Sequence, residues 1–276
     1  MPRHAASFGP SIWSWGEVHL IKTVHVSHVG RVRSVNEDSA WIRHLEQGYI
    51  LGIVADGMGG HLAGDTASRL AVETLAADLA TLETGLSEQS LSAALSDAIL
   101  HANEVIYQTA AKNDKYHNMG TTVVAVLLND TRGVIGHIGD SRAYIVSGGQ
   151  VRQITEDHTL VNELFKNGQI SKEEAGSHPR RNVLTRALGT DAEVKVDLDA
   201  VSLEQGDVLL LCSDGLSNLV NEQQIGKVVG AGDIPLEERA DRLLHLALLA
   251  GGDDNITVAL FEQPRPEASA DEKGYE

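Results

Sequence analysis

The sequence predicts an α+β protein, a four-layer α/β/β/α sandwich of two stacked, mainly antiparallel sheets flanked by helix pairs. Three observations carry this expectation. Apolar runs of strand length come in groups joined by short turns such as Ser147-Gly148-Gly149-Gln150, which favours antiparallel neighbours. Pairs of helical patterns separate the groups, instead of single helices alternating with single strands. The strands number about ten, more than one ordinary sheet holds, so two sheets must pack face to face.

Taken in order, residues 1–20 show no clear period and read as an N-terminal extension. Residues 21–263 read as one domain, and the polar stretch 264–276 reads as a disordered tail. Strands are expected over 22–29, 39–45 and 49–55. A first helix follows from Ala63, Ala67, Leu70, Ala71, Leu75 and Leu79, and a second from Leu91, Ala94, Leu95, Ala98, Ala102, Val105 and Ile106; both sets recur at three- and four-residue spacing. Strands return at 120–129, 133–138, 142–147 and 150–154. Residues 157–190 are mixed and polar with weak helical segments, and read as an insertion or flap. Strands near 193–199 and 207–213, helices near 221–230 and 236–250, and a last strand at 255–262 complete the chain.

Composition narrows the function. The 276 residues carry 22 Lys and Arg against 39 Asp and Glu, so the formal charge is 22 − 39 = −17. That argues against a nucleic-acid partner, since a phosphate backbone demands basic surface. An acidic protein still binds phosphate where bound cations invert the local field. No apolar stretch approaches the roughly 18–20 residues of a membrane span. Met1 to Gly16 lacks the apolar core of a signal peptide, so the expected location is the cytoplasm. The single cysteine, Cys212, lies in an apolar run and excludes a disulfide framework. A thiol-based phosphatase needs an arginine soon after its cysteine, and residues 213–219 contain none; Cys212 reads as core.

The chemistry lies in four acidic clusters: Asn36-Glu37-Asp38, Asp56-Gly57, Ser213-Asp214-Gly215 and Asp253-Asp254-Asn255. Each falls where an apolar run meets a turn. Any one Asp there reads better as a turn or capping residue. Several carboxylates at the ends of buried strands, however, cost free energy unless something positive neutralises them. Together they read as a shared cation site of oxygen ligands, suited to magnesium or manganese rather than zinc. Glycines 57, 59 and 60 allow close backbone approach to a ligand, including by a carbonyl.

These segments resemble a known family. Arg33-Ser34-Val35-Asn36-Glu37-Asp38 followed by Ala55-Asp56-Gly57-Met58-Gly59-Gly60-His61 is similar to the PP2C-type (PPM) metal-dependent serine/threonine phosphatases. So are Met119-Gly120-Thr121-Thr122, Ile138-Gly139-Asp140-Ser141-Arg142, Cys212-Ser213-Asp214-Gly215-Leu216 and Asp253-Asp254-Asn255-Ile256-Thr257-Val258. Each motif alone is weak, but six in the family's order, over roughly residues 22–262, are specific. The Asp-Gly-Met-Gly-Gly-His variant resembles the bacterial branch.

The resemblance implies hydrolysis of phosphoserine and phosphothreonine by direct attack of a metal-activated water at a two-ion manganese or magnesium centre. Asp56 would bridge both ions, and Asp214 and Asp254 would hold the first. Glu37 and the Gly57 carbonyl would serve the second, with Asp38 behind them. Asp140 with Asp214 would hold a third, weaker ion; some relatives have a serine near Asn182 that helps it. Arg33 would grip the substrate phosphate with its planar fork, the alternative being a surface ion pair with Glu37. His61 would protonate the leaving alkoxide, although animal relatives place their histidine directly after Asp-Gly, where this chain has Met58. Gly120-Thr121-Thr122 and Ser141-Arg142 would support the site. His178-Pro179-Arg180-Arg181 reads either as a phosphopeptide contact or as a solvated loop.

Partners implied are phosphoproteins and a cognate serine/threonine kinase or its substrates, with the chain a monomer. Two other functions fit the fold: a catalytically weak regulatory module, which should have lost a central ligand, and a hydrolase of small phosphate esters.

Overall fold

The computed structural model describes residues 21–59, 63–116 and 118–265. The extension 1–20, His61 and residues 266–276 of the tail lie outside them. Two antiparallel sheets stack face to face. In the first the order is β1 (Lys22–His28), β11 (Ile256–Glu262), β10 (Val208–Cys212), β7 (Arg142–Ser147) and β8 (Gln150–Gln153). In the second it is β2 (Asp38–His44), β3 (Tyr49–Met58), β5 (Val123–Asn129), β6 (Arg132–Ile138) and β9 (Asp197–Ser202), with the two-residue β4 (Gly120–Thr121) paired to the end of β3.

Strand period two sorts the side chains into layers. On β3, Leu51, Ile53 and Ala55 face helices α1 (Ala63–Leu79) and α2 (Glu88–Lys112), while Ile50 and Val54 face the other sheet. Gly52 leaves the space that the Phe261 ring fills from β11. Between the sheets, Val124, Val126 and Leu128 meet Ile145, Leu209, Leu211 and Phe261. Outside the first sheet, Tyr144, Leu210, Cys212 and Val258 pack against α6 (Glu222–Val229) and α7 (Leu236–Leu249) through Ile225, Val229 and Leu243. The expected four layers are thus present, with a helix pair on each face.

Three strands depart from expectation by more than a one-residue shift at an end. The one expected over 49–55, β3, runs on to Met58. The run 120–129 breaks at Thr122, whose side chain and N–H both turn to Asp56. The strand expected at 193–199 begins instead at Asp197 and reaches Ser202. The ladder with β6 decides this, pairing His137 with Asp197 and Arg132 with Ser202, while Val194 and Val196 pack onto the α1/α2 core before the strand starts. The flap region carries two short helices, α3 (Leu160–Lys166) and α4 (Lys172–Ser177), the latter opened by a capping box between Ser171 and Glu174. A further short helix, α5 (Asp214–Ser217), starts directly after β10 and has no periodic signal in the sequence.

Candidate metal centre

Strand ends bring the acidic clusters together. Asp38 opens β2 directly opposite Asp56 on β3. Asp214 follows β10 as the first residue of α5, and Asp254 precedes β11, the neighbour of β10. Asp140 sits in the turn between β6 and β7, which passes from one sheet to the other. A cleft of about 380 Å³ has Arg33, Glu37, Asp56, Gly57, Asp140 and Asp254 in its lining, with Asp214, Thr122 and Asn182 also in the wall.

Each carboxylate is placed by particular contacts. The Asp56 backbone is held on both sides: its N–H donates to Thr122 Oγ1 at 3.0 Å, and its carbonyl accepts from Thr121 Oγ1 and the Thr122 N–H, both at 2.9 Å. Asp38 is buried, and its Oδ2 accepts from the hydroxyls of Ser213 (2.7 Å), next to Asp214, and Thr257 (2.6 Å), near the start of β11. Asn255 fastens the Glu37 loop: its Oδ1 accepts from the Glu37 N–H at 2.8 Å, and its amide donates to the Val29 and Val35 carbonyls. The Glu37 carbonyl in turn accepts from the Gly57 N–H at 3.1 Å. A side chain on Gly57 would run into the Gly64 carbonyl, so this crossing needs glycine. Asn218 donates to Asp214 Oδ2 at 3.0 Å.

The electrostatics follow from this crowding. Burial, then the neighbouring Asp38, Asp214, Asp140 and Asp254, push the Asp56 carboxyl well above the usual range. Burial raises Asp38 to about 7 against the pull of its two hydroxyl donors. Asp140 also rises to about 7, by burial and the charge of Asp214. Glu37 and Asp214 are raised too, burial being the main cause in both. Three buried carboxylate oxygens, Glu37 Oε1, Asp38 Oδ1 and Asp214 Oδ1, have no hydrogen-bond partner in the described structure. Orphaned anionic oxygens are expensive. Hard divalent cations would satisfy them and reverse the pKa shifts, and the donor set, all oxygen, suits such ions.

Arg33 is half exposed and reaches the cleft, but its partner is Asp254 Oδ2 at 2.8 Å, not Glu37. Asn182 lines the cleft as well as a second one of about 560 Å³ beneath the flap, and Asp140 and Asp214 are common to both. Of the basic tract 178–181, Arg181 lines that second cleft, while the His178 ring accepts the Arg180 N–H in a local turn. Arg142 is spent on a bidentate pair with Asp157 (2.8 and 2.6 Å). Cys212 is buried, which pushes its thiol up to about 12 and removes it as a nucleophile. Thr257, Asn255 and Ser213 stood inside quoted motifs, but no sequence signal said that their side chains hold Glu37 and Asp38.

A two-sheet sandwich with an all-oxygen acidic cleft at its strand ends defines a protein built to hold hard divalent cations. Comparison with known proteins says which. The family model described as protein phosphatase 2C matches residues 27–243. The chain is 42% identical over 234 residues to a serine/threonine phosphatase of Listeria monocytogenes, covering 85% of this chain and 92% of the relative. A serine/threonine phosphatase structure from S. agalactiae superposes with a TM-score of 0.84 at 38% identity, covering 88% and 99% of the two chains. The catalytic domain of the phosphatase PstP, solved with two manganese ions, gives a TM-score of 0.76 at 37% identity, covering 88% and 98%. This chain belongs to the protein phosphatase 2C family.

Proposed function

We infer that the chain is a metal-dependent serine/threonine protein phosphatase, a phosphoric monoester hydrolase acting on phosphoproteins. One observation carries the reading in the molecule itself: six carboxylates from distant segments share one neighbourhood with Arg33, and three of their buried oxygens lack partners. The weak regulatory module loses ground because no central carboxylate is missing. The manganese in the PstP structure supports manganese or magnesium here.

In this proposal Asp56, Asp214 and Asp254 would hold one divalent ion, and Asp56, Glu37 and the Gly57 carbonyl would hold a second. Asp38 stands behind Asp56 and keeps its place through Ser213 and Thr257. Asp140 and Asp214, which line the cleft with Asn182, would hold a third and weaker ion. When bound, such ions supply a nucleophilic water near neutral pH and charge to offset the phosphate oxygens. The residues do the rest. Arg33, half exposed and at the cleft mouth, exchanges Asp254 for two phosphate oxygens. His61 gives a proton to the departing serine or threonine oxygen. A cognate kinase or its substrates, and a monomeric state, complete the proposal.

The test is hydrolysis of a phosphothreonine peptide with manganese, with magnesium and after exhaustive chelation. Turnover is expected only with metal. Activity that survives chelation would overturn the metal mechanism. A strong preference for small phosphate esters over the peptide would favour the small-ester hydrolase instead.

A further inference from the structure

Behind the turn that carries Asp140 lies a second group of ligand-type side chains. His137, His158 and Asp197 bring potential ligand atoms within 4.8 Å of one another. A metal does not fit them. The two imidazoles are stacked, with centroids 4.6 Å apart and planes 20° from parallel, so their in-plane lone pairs run side by side rather than converge. In addition, His158 Nδ1 accepts the Gly139 N–H at 3.0 Å. The ring proton therefore sits on Nε2, where it is donated to Asp197 Oδ2 at 3.0 Å.

What the group does hold is Gly139. His158 takes its N–H through the ring and gives its own backbone N–H to the Gly139 carbonyl at 2.9 Å. Gly139 has φ +106, and a side chain there would strike Thr122, so the turn keeps this shape only with glycine and needs outside support. On the far side of Asp140, Ser141 Oγ lies 2.7 Å from Thr122 Oγ1, the acceptor of the Asp56 N–H. Asp140 is thus bracketed by one residue tied to His158 and another tied, through Thr122, to Asp56.

The other end of the chain of contacts reaches the flap. Arg186 grips Asp197 with two N–H groups at 3.0 and 3.1 Å, and the Thr185 N–H donates to the His158 carbonyl at 2.8 Å. Burial, the stacked His137 and the Arg186 charge hold His158 down at about 4, which keeps Nδ1 a free acceptor at neutral pH.

We propose that His158, oriented by Asp197 and Arg186, is a positioning residue that fixes Gly139 and thereby holds Asp140 in the carboxylate cleft, tying the flap to the metal centre. This rests on the proposed function for its kinetic and manganese readouts, but not for the exchange at Gly139. Asparagine at 158 offers Oδ1 near the place of Nδ1, whereas glutamine offers a group toward Asp197 and loses the acceptor for Gly139.

The experiment compares the full-length, manganese-loaded parent with His158→Asn, His158→Gln, Asp197→Asn, Asp140→Asn and the double variant His158→Gln/Asp140→Asn. Manganese titration by calorimetry, amide hydrogen exchange at Gly139, and kcat and KM are measured. His158→Gln should speed Gly139 exchange and lower manganese affinity or kcat by about 10-fold or more, as outer partners of ligands do. His158→Asn should recover most of both. In the Asp140→Asn background the glutamine change should add no more than about twofold, the signature of action through one residue. Equal losses in both backgrounds, or unchanged Gly139 exchange in His158→Gln, would overturn the proposal. If a His158 variant fails to fold, Asp197→Asn leaves the imidazole present but loosens its orientation, so faster Gly139 exchange supports the proposal and unchanged exchange overturns it. A parent without phosphatase activity would refute the proposed function, while exchange at Gly139 would still judge the clamp.

Discussion

Asp38 and Asp56 face each other across β2 and β3, yet their carboxyls have opposite surroundings. Asp38 is buried and receives two hydroxyls at 2.6 and 2.7 Å, whereas Asp56 lines the cleft among like charges. The hydroxyl-bonded carboxylate lies behind the one in the cleft, and its charge adds to the upward push on Asp56. That arrangement is poor for a metal-free protein and good for one that binds cations.

Asp56→Asn tests it directly. Turnover of a phosphothreonine peptide should fall by at least ~10²-fold, since a bridging charge is lost where metal chemistry depends on it. The metal-free fold should be unharmed, because the substitution relieves repulsion. Steady-state kinetics and thermal unfolding check both halves. Near-normal turnover would remove Asp56 as the bridging ligand.

The metal-free protein should lose stability as pH rises from about 4 to about 7. Asp38 and Asp140 stand at about 7 when folded, against about 3.9 for an unfolded aspartate. Between these values the folded state binds more protons than the unfolded one, so unfolding free energy falls with increasing pH. The penalty is complete above about 7 and absent below about 4. His158 works the other way, because its folded pKa is depressed to about 4 and it costs stability as pH drops below about 6.5. Asp38→Asn separates the two: the difference in melting temperature between variant and parent should grow in the variant's favour from pH 5.5 to 7.5. A constant difference would show that Asp38 titrates normally.

Arg33→Ala should raise KM for the phosphopeptide about tenfold or more, the order expected for a charge-assisted hydrogen bond to phosphate. Arg33→Lys should recover part of this at most, since an ammonium cannot offer a planar fork. Full recovery by lysine would show that charge alone is needed. An unaltered KM in both variants would leave Arg33 as no more than the partner of Asp254.

His61→Ala should hurt poor leaving groups most. The rate with phosphothreonine peptide should drop about 10²-fold, within the usual range for a general acid. An aryl phosphate, whose leaving group needs little protonation, should be much less affected. Equal effects on the two substrates would take His61 out of proton transfer.

Much of this was legible in the chain itself. The long helices and most strands follow from local periodicity, which needs no knowledge of the fold. Asp56, Asp214 and Asp254 stood out because a charge at the end of an apolar run is locally anomalous. The start of β9 was not legible: Val194 and Val196 alternate like a strand, and only the ladder with β6 shows that they belong to the helical core. The partner of Arg33 was not legible either, because Glu37 is four residues away and Asp254 is 221.

By itself, then, the sequence determined the residue types, the local elements and, through six ordered motifs, the family. Only the tertiary structure decided which oxygens meet, which are left without a partner, and that His158 and Asp197 stand behind Asp140. The reason is physical. Periodicity and turn chemistry act over a few residues, whereas these relationships depend on sheet register and on which strands are neighbours, properties that arise only when distant segments are packed together.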